Sequence, residues 1–266
     1  MKTLGAIISD ADGTLVDTVR LIRHGQYETV RTYLQRFEGI AVPSFDEYEP
    51  LLAQAIGGSA HDTLRRTVQL ICTGTPDVLS RMDFDELHDL LNPIQDKLAA
   101  EYVTAYKGLD ELLRRVGELN MKFAIVTSGT PHHVMRNFGV SLPQLGLAEL
   151  YMMKGKSDGA KLAEFEAAVS SHFGIAGFTV VTCDDVRAHK PDPAGIELAM
   201  QRLGVEPEQS MVLGDHIVDM QAGRAAGAQE CIGVSHGFDD EHTLIRAGAT
   251  RVIHSLEELT SSLVTL

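Results

Sequence analysis

Two pairs of aspartates carry the clearest chemical signal in this sequence. Asp10 and Asp12 lie two residues apart at the start of the segment DADGTLVD, and Asp215 and Asp219 lie four apart in GDHIVD. Carboxylates can bind a hard divalent cation, attack as nucleophiles, or move protons as general acids and bases. Each pair alone has a simpler explanation, an acidic turn for the first and helix capping for the second.

Two shorter motifs add a cation and small hydroxyl groups. Lys190 lies in the segment HKPDP, directly before a proline that stiffens the chain, and Thr127 and Ser128 lie in VTSG. An isolated lysine is most often a solvated surface residue, and isolated hydroxyl groups at a strand end are most often caps.

Short apolar runs that alternate with helical stripes predict the elements that position these motifs. The predicted strands are Leu4–Ile8, Lys122–Val126, Phe178–Thr182, Met211–Leu213, Cys231–Val234 and Arg251–Ile253. The predicted helices between them are Leu109–Leu119, Ala194–Leu203, Ile217–Ala226 and Leu256–Leu263. This alternation predicts an α/β fold with a parallel sheet, whose strand ends are where such sheets bind ligands.

The alternation is interrupted once, between Asp17 and Tyr106, where no convincing strand is found. That stretch predicts the helices Val19–Phe37, Phe45–Ile56, His61–Ile71 and Phe84–Tyr102, with linkers near 17–18 and 105–108. We therefore expect an α/β domain formed by 1–17 and 107–266, with a helical domain, 18–106, inserted after the first strand.

Taken in order, the four motifs resemble the haloacid dehalogenase-like (HAD) hydrolase superfamily over nearly the whole chain. The inserted helices look like the small helical cap of the phosphoglycolate phosphatase and β-phosphoglucomutase branch. The resemblance implies a Rossmann-like parallel sheet core with an inserted α-helical cap domain.

The resemblance also implies a role for each motif. Asp10 would be the nucleophile, Asp12 the general acid and base, and Lys190 the positive charge that holds nucleophile and phosphate together. Thr127 would contact the phosphoryl oxygens, with the Ser128 backbone near them. Mg²⁺ would be bound by Asp215, the Asp10 carboxylate and the Asp12 carbonyl, with Asp219 in a supporting position.

The implied function is a Mg²⁺-dependent phosphatase that hydrolyses a small phosphorylated metabolite through an aspartyl-phosphate. Asp12 favours phosphate esters, because dehalogenase-like and phosphonatase-like members lack an acid there. A β-phosphoglucomutase-like phosphomutase, in which a sugar hydroxyl replaces water, stays open. Cap residues would select the substrate, and the candidates are Gly58, Ser59, His61 and Arg65; the alternative for Arg65 is a solvated helix face.

Two remote alternatives belong to other functional classes. The segment GVSHG matches the G-x-S-x-G nucleophile elbow of serine hydrolases around Ser235, with Asp239, Asp240 and His242 after it. Too little chain follows Ser235 to complete such a hydrolase sheet, and these partners share its local turn. The other alternative is a non-catalytic binding protein on the same fold.

Composition limits the partners and the compartment. The 266 residues include 23 Lys and Arg against 37 Asp and Glu, a net charge of −14, which argues against nucleic-acid and anionic-membrane partners. The three cysteines show no metal-binding or disulfide spacing, and the apolar start, 1–8, is shorter than a signal sequence. We expect a cytoplasmic monomer or homodimer. The long stretch from Thr127 to Lys190 predicts either a flap or a tolerated loop near 141–161.

Overall fold

The chain folds as two units, which the computed structural model describes over residues 4–55 and 60–263. One unit comprises Met1–Thr18 and Val103–Leu266, and the other comprises Val19–Tyr102. The helical unit is thus inserted into the chain of the first unit, after its first strand.

The first unit is built on a parallel sheet. Its strands are β1 (Ala6–Ser9), β4 (Lys122–Val126), β5 (Phe178–Val181), β6 (Ser210–Gly214), β7 (Glu230–Val234) and β8 (Arg251–Ile253). The six strands run in the order β5-β4-β1-β6-β7-β8, and every pairing is parallel. This architecture confirms the α/β, Rossmann-like fold predicted from the alternating pattern.

Thirteen α-helices lie within the described ranges. Those of the inserted unit are α1 (Val19–Leu34), α2 (Phe45–Ala55), α3 (Ala60–Ile71), α4 (Pro76–Leu79), α5 (Phe84–Asp89) and α6 (Leu91–Tyr102). Those of the sheet unit are α7 (Leu109–Glu118), α8 (Pro131–Ser141), α9 (Asp158–Phe173), α10 (Ala194–Leu203), α11 (Ile217–Ala225), α12 (Glu241–Ala247) and α13 (Leu256–Ser262).

The central strand β1 explains why the first motif lies where it does. All four of its residues are buried, and Ile8 lies opposite Ala124 of β4 and Val212 of β6. A strand buried on both faces needs a continuous apolar run, which the sequence supplies. The chain therefore leaves the middle of the sheet at its carboxyl edge, immediately before Asp10.

The connections to the inserted unit differ from the expected linkers. β2 (Val16–Asp17) and β3 (Thr104–Ala105) form a two-stranded antiparallel ribbon, in which Val16 lies opposite Ala105 and Asp17 opposite Thr104. The sequence analysis treated these positions as plain linkers because a two-residue strand is too short to leave a periodic pattern.

The inserted unit has its own apolar core, which includes Val30, Tyr33, Leu64 and Leu87. The single helix expected over Phe84–Tyr102 is wrong, because the structure has two helices that break at Leu90. Pro93 explains the break: it has no N–H to donate to Asp89, and its ring would clash with that carbonyl in a continuous helix.

Three helices of the sheet unit, α8, α9 and α12, were not predicted. The segment 141–161, expected as a flap or a loop, contains two short 3-10 helices, Pro143–Leu145 and Leu150–Met152. Tyr151 is buried there, its ring meets His132 of α8 edge to face, and its carbonyl accepts a hydrogen bond from Lys161 of α9. The segment therefore packs against α8 and α9 of its own unit.

Within residues 4–55 and 60–263, no helix combines the length and apolar character that crossing a bilayer requires.

The close packing of α11 on the sheet gives a stability prediction. A Cβ on Gly223 would lie 2.8 Å from Sγ of Cys231 and 3.0 Å from Cβ of Val212. We expect Gly223→Ala to lower the free energy of unfolding by about 1–3 kcal/mol in urea titrations, because the core must shift. Gly159→Ala on α9 is the control, since no atom lies within 4 Å of its added methyl. Equal stability of the two variants would contradict the prediction.

Candidate active site

A sharp turn after β1 presents the first two aspartates. The Asp10 amide donates to the carbonyl of Leu213 at the end of β6, and the Gly13 amide donates to Val16. Gly13 has φ +85°, and a Cβ there would lie 2.3 Å from Oδ2 of Asp215. A larger residue would therefore be strained and would collide with the second acidic motif, so the turn requires glycine.

Lys190 links the first and last motifs. Its Nζ donates to Oδ1 of Asp10 at 2.5 Å, to Oδ1 of Asp219 at 2.6 Å and to the carbonyl of Val126 at 3.1 Å. The lysine side chain is only 8% exposed. Burial by itself lowers the pKa of Lys190, but the Asp10 and Asp219 carboxylates outweigh it and raise the pKa above its usual value. The ammonium is therefore charged in this site.

Asp215 is fixed by groups from two other segments. Its Oδ1 accepts from the Thr14 hydroxyl at 2.6 Å, and its Oδ2 accepts from the Phe238 amide at 2.8 Å. His236, in the same loop as Phe238, lies with Nε2 3.0 Å from the carbonyl of Thr14. The loop after β7 thus holds Asp215 against the turn after β1.

Asp219 occupies the first turn of α11. Its Oδ2 accepts from the His216 amide at 3.1 Å, which caps the helix, while Oδ1 accepts from Lys190. Asp219 therefore caps the helix through Oδ2 and contacts Lys190 through Oδ1.

Asp10, Asp215 and Asp219 form a group in which one carboxylate oxygen from each residue lies within 4.8 Å of the other two. Burial raises the pKa of Asp215 to about 6, with a further contribution from the Asp219 carboxylate. Burial and the Asp219 and Asp215 carboxylates also raise the pKa of Asp10, against the opposing effect of Lys190. One ammonium does not balance three carboxylates, so the cluster is suited to a divalent cation, which favours oxygen ligands.

Asp12 accepts a hydrogen bond from α8, a helix that the sequence pattern did not predict. Its Oδ1 accepts from Nδ2 of Asn137 on α8 at 2.9 Å, and Asn137 Oδ1 accepts from Nε of Arg136 at 3.0 Å. Burial raises the pKa of Asp12, and the Thr18 hydroxyl and then the Asn137 amide act against that rise. The only signal in the sequence was an Arg-Asn pair within an otherwise apolar stretch, VMRNFGV.

The remaining motif residues of the sheet unit lie beside Lys190. Thr127 follows Val126, whose carbonyl Lys190 contacts, and its Oγ1 accepts from the Gly129 amide at 2.9 Å. Thr127 is buried and Ser128 is exposed. Both line a narrow cleft together with Lys190. The Thr127 hydroxyl proton is not used by the Gly129 contact, so it can be donated to a ligand oxygen.

Two of the candidate substrate residues, His61 and Arg65, make exposed ion pairs within the inserted unit. His61 Nε2 lies 3.1 Å from Oδ1 of Asp85, and Arg65 pairs with Asp62 of the same helix at 3.2 Å. Both line an open groove of about 490 Å³. Gly58 and Ser59 lie outside the described residues.

The serine-hydrolase pattern around Ser235 does not form the expected triad. Asp239 accepts from the Ile217 amide, and Asp240 accepts from the Thr243 amide as the cap of α12. Ser235 Oγ instead lies 2.7 Å from Nδ1 of His254, whose side chain is largely exposed. Asp239 and Asp240 therefore accept hydrogen bonds from backbone amides at the starts of helices, α11 and α12.

Comparison with known proteins agrees with the fold and with the ordered motifs. Residues 4–227 match the family model of haloacid dehalogenase-like hydrolases, so the chain belongs to this family of hydrolases. The resemblance drawn from the motifs is thereby confirmed.

Individual relatives cover most of the chain at modest identity. Pyrophosphatase PpaX of Bacillus velezensis is 28% identical over 230 residues, 86% of this chain and 82% of that protein. A β-phosphoglucomutase candidate from Thermotoga maritima shares the fold with a TM-score of 0.69 and 20% identity, over 99% of this chain and 100% of the other. CbbY from Rhodobacter sphaeroides, solved with phosphate, gives a TM-score of 0.59 and 22% identity, over 97% and 96%.

The carboxylate cluster predicts cation binding that can be measured without any substrate. We expect MgCl₂ to raise the melting temperature, with about 2.7 kcal/mol of stabilisation at a concentration 100 times Kd. Asp215→Asn should lose most of this shift, because a neutral amide is a weaker ligand. Glu111→Gln, an exposed change on α7, is the matched control. An undiminished shift in Asp215→Asn would exclude this residue as a ligand.

Proposed function

We propose that this hydrolase is a phosphatase of small phosphorylated compounds that works through an aspartyl-phosphate on Asp10. The observation that carries the proposal is the buried bridge from Lys190 to Asp10 and Asp219, beside Asp215. A nucleophilic carboxylate held by an ammonium is suited to receive a dianionic phosphoryl group, whose charge the same ammonium attracts.

In the first half of the reaction, an oxygen of Asp10 attacks phosphorus. The bond from phosphorus to the leaving oxygen breaks as the bond to Asp10 forms, and Asp12 gives its proton to the leaving oxygen. The raised pKa of Asp12 favours the protonated form that this step uses. The Thr127 hydroxyl and the Lys190 ammonium hold the phosphoryl oxygens.

In the second half, water attacks the phosphorus of the aspartyl-phosphate. Asp12, now ionised, accepts a proton from that water while the bond from phosphorus to Asp10 breaks. Phosphate is released, and Asp10 and Asp12 return to their starting states. A single carboxyl group thus serves as acid and then as base.

Magnesium is the cation we propose for the site. The donor set, three buried carboxylates with no sulfur or imidazole ligand among the grouped residues, fits a hard ion that favours oxygen. Asp10, Asp215 and Asp219 would hold it, together with the Asp12 carbonyl, and it would neutralise charge on the phosphoryl group.

The names of the relatives are what supports a substrate class. The PpaX relatives carry the name pyrophosphatase, and structural relatives carry the names β-phosphoglucomutase and phosphoglycolate phosphatase. We propose a small phosphorylated metabolite, with substrate selected by residues of the inserted unit that include His61 and Arg65. The free cysteines, Cys72, Cys183 and Cys231, support action in the cytoplasm.

The role of Asp10 gives the central prediction. Asp10→Asn should lower kcat for p-nitrophenyl phosphate more than about a hundredfold, or about 2.7 kcal/mol of barrier, because an amide does not attack phosphorus. Radiolabelled phosphate should be trapped on wild-type protein after acid quench, and not on the variant. Asp184→Asn, an exposed change in the same unit, should keep wild-type activity. If a hexose phosphate is the substrate and the product is its phosphosugar isomer instead of free phosphate, the enzyme is a phosphomutase.

The proposed role of the inserted unit predicts a change in substrate ranking. Across a panel of pyrophosphate, phosphoglycolate and hexose phosphates, His61→Ala and Arg65→Ala should alter the order of kcat/KM values. Turnover of p-nitrophenyl phosphate should change little, because a small ester needs only the core residues. Arg31→Ala removes an exposed i,i+3 pair with Glu28 and serves as the control for Arg65→Ala. An unchanged ranking would remove both residues from substrate selection.

A further inference from the structure

Helix α8 carries two polar residues on its buried side that none of the motifs explains. Arg136 is only 2% exposed and Asn137 is also buried, among the apolar residues Val134, Met135 and Phe138. Burying a guanidinium costs several kcal/mol unless its surroundings compensate. A helix that only had to pack against its neighbours would carry apolar residues at these positions, so packing does not account for the pair.

The hydrogen bonds of the two residues form a directed chain to Asp12. Arg136 Nε donates to Asn137 Oδ1 at 3.0 Å, and Asn137 Nδ2 donates to Asp12 Oδ1 at 2.9 Å. Arginine offers donors only, so the amide oxygen must face Arg136, and the NH₂ group must then face Asp12. The orientation of the amide is therefore fixed by the chemistry of its partners at both ends.

This chain holds the Asp12 carboxyl group in one orientation. Oδ1 receives the amide N–H of Asn137, so rotation of the carboxyl group would break that hydrogen bond. A carboxyl group without this contact would rotate more freely. Proton transfer requires the donor oxygen within hydrogen-bond reach of its target, so a fixed rotamer matters to the rate.

We propose that Asn137 is a positioning residue for Asp12, and that Arg136 acts through it by holding the amide in its donating orientation. The inference rests on the proposed function, in which Asp12 gives a proton to the leaving oxygen and later takes one from water. Asn137 touches neither phosphorus nor water in this scheme, and it acts only through the carboxyl group that it holds.

The test uses leaving groups that differ in their need for a proton. For a series of substituted phenyl phosphates, kcat/KM reports the steps through transfer to Asp10. p-Nitrophenolate departs readily without protonation, whereas phenolate, with a pKa of about 10, depends more on the acid. Asn137→Asp keeps an acceptor for Arg136 but replaces the N–H donor by an oxygen. We expect Asn137→Asp to lower kcat/KM for both esters, or for phenyl phosphate alone. The loss for phenyl phosphate should be about tenfold or more larger than the loss for p-nitrophenyl phosphate.

The control separates positioning from a loss of packing. Val134→Ala removes buried apolar atoms from the same helix, so it should lower the melting temperature but leave the ratio between the two esters unchanged. A folded Asn137→Asp variant with the wild-type ratio would overturn the proposal.

A second measurement does not depend on turnover. In isotope-labelled protein, the side-chain amide protons of Asn137 should shift upfield in Asp12→Ala, because they lose a carboxylate acceptor. No shift would overturn the contact itself. Activity that survives in Asp10→Asn would instead refute the proposed function, while leaving the amide shift in place, so the two failures are distinguishable.

Discussion

The interaction on which the site depends is the buried ammonium of Lys190 between Asp10 and Asp219. Removing one partner of such a buried pair leaves an uncompensated charge, which costs about 3–5 kcal/mol. The three groups come from a strand end, a loop and a helix start that are far apart in sequence. Their pairing therefore fixes the relative positions of the end of β1, the loop before α10 and the start of α11, and it places a positive charge beside the Asp10 carboxylate.

A second set of contacts makes the same site rigid from the other side. Asp215 is held by the Thr14 hydroxyl and the Phe238 amide, while His236 reaches the Thr14 carbonyl and stacks on Tyr106 at 3.7 Å. Burial lowers the pKa of His236, so its ring is kept neutral against Tyr106. Asp215 is thus held in a fixed position, and its repulsion by the neighbouring carboxylates would favour the binding of a cation.

The sequence predicted the parts of this arrangement that have a local cause. Buried strands require apolar runs, so Lys122–Val126 and Arg251–Ile253 were predicted with the bounds that the structure shows. Helix α8 was missed because Gly, His, Arg and Asn interrupt its apolar pattern. The Asn137 contact lies 125 residues from Asp12 in the chain. No spacing rule reaches that far, since the contact arises from how α8 packs against the β2–β3 ribbon.

The two units differ in how tightly their candidate site residues are held. In the sheet unit, Thr14, Asn137 and Lys190 are committed to hydrogen bonds with the aspartates, so a change at any of them disturbs the chemistry. The inserted unit has a separate core, and the pairs that His61 and Arg65 make are exposed ones, which typically contribute under about 1 kcal/mol. Residues whose contacts contribute so little to folding can be replaced without loss of the fold. Under the proposed function, substrate preference can therefore change through residues of the inserted unit while the residues proposed for phosphoryl transfer in the sheet unit stay fixed.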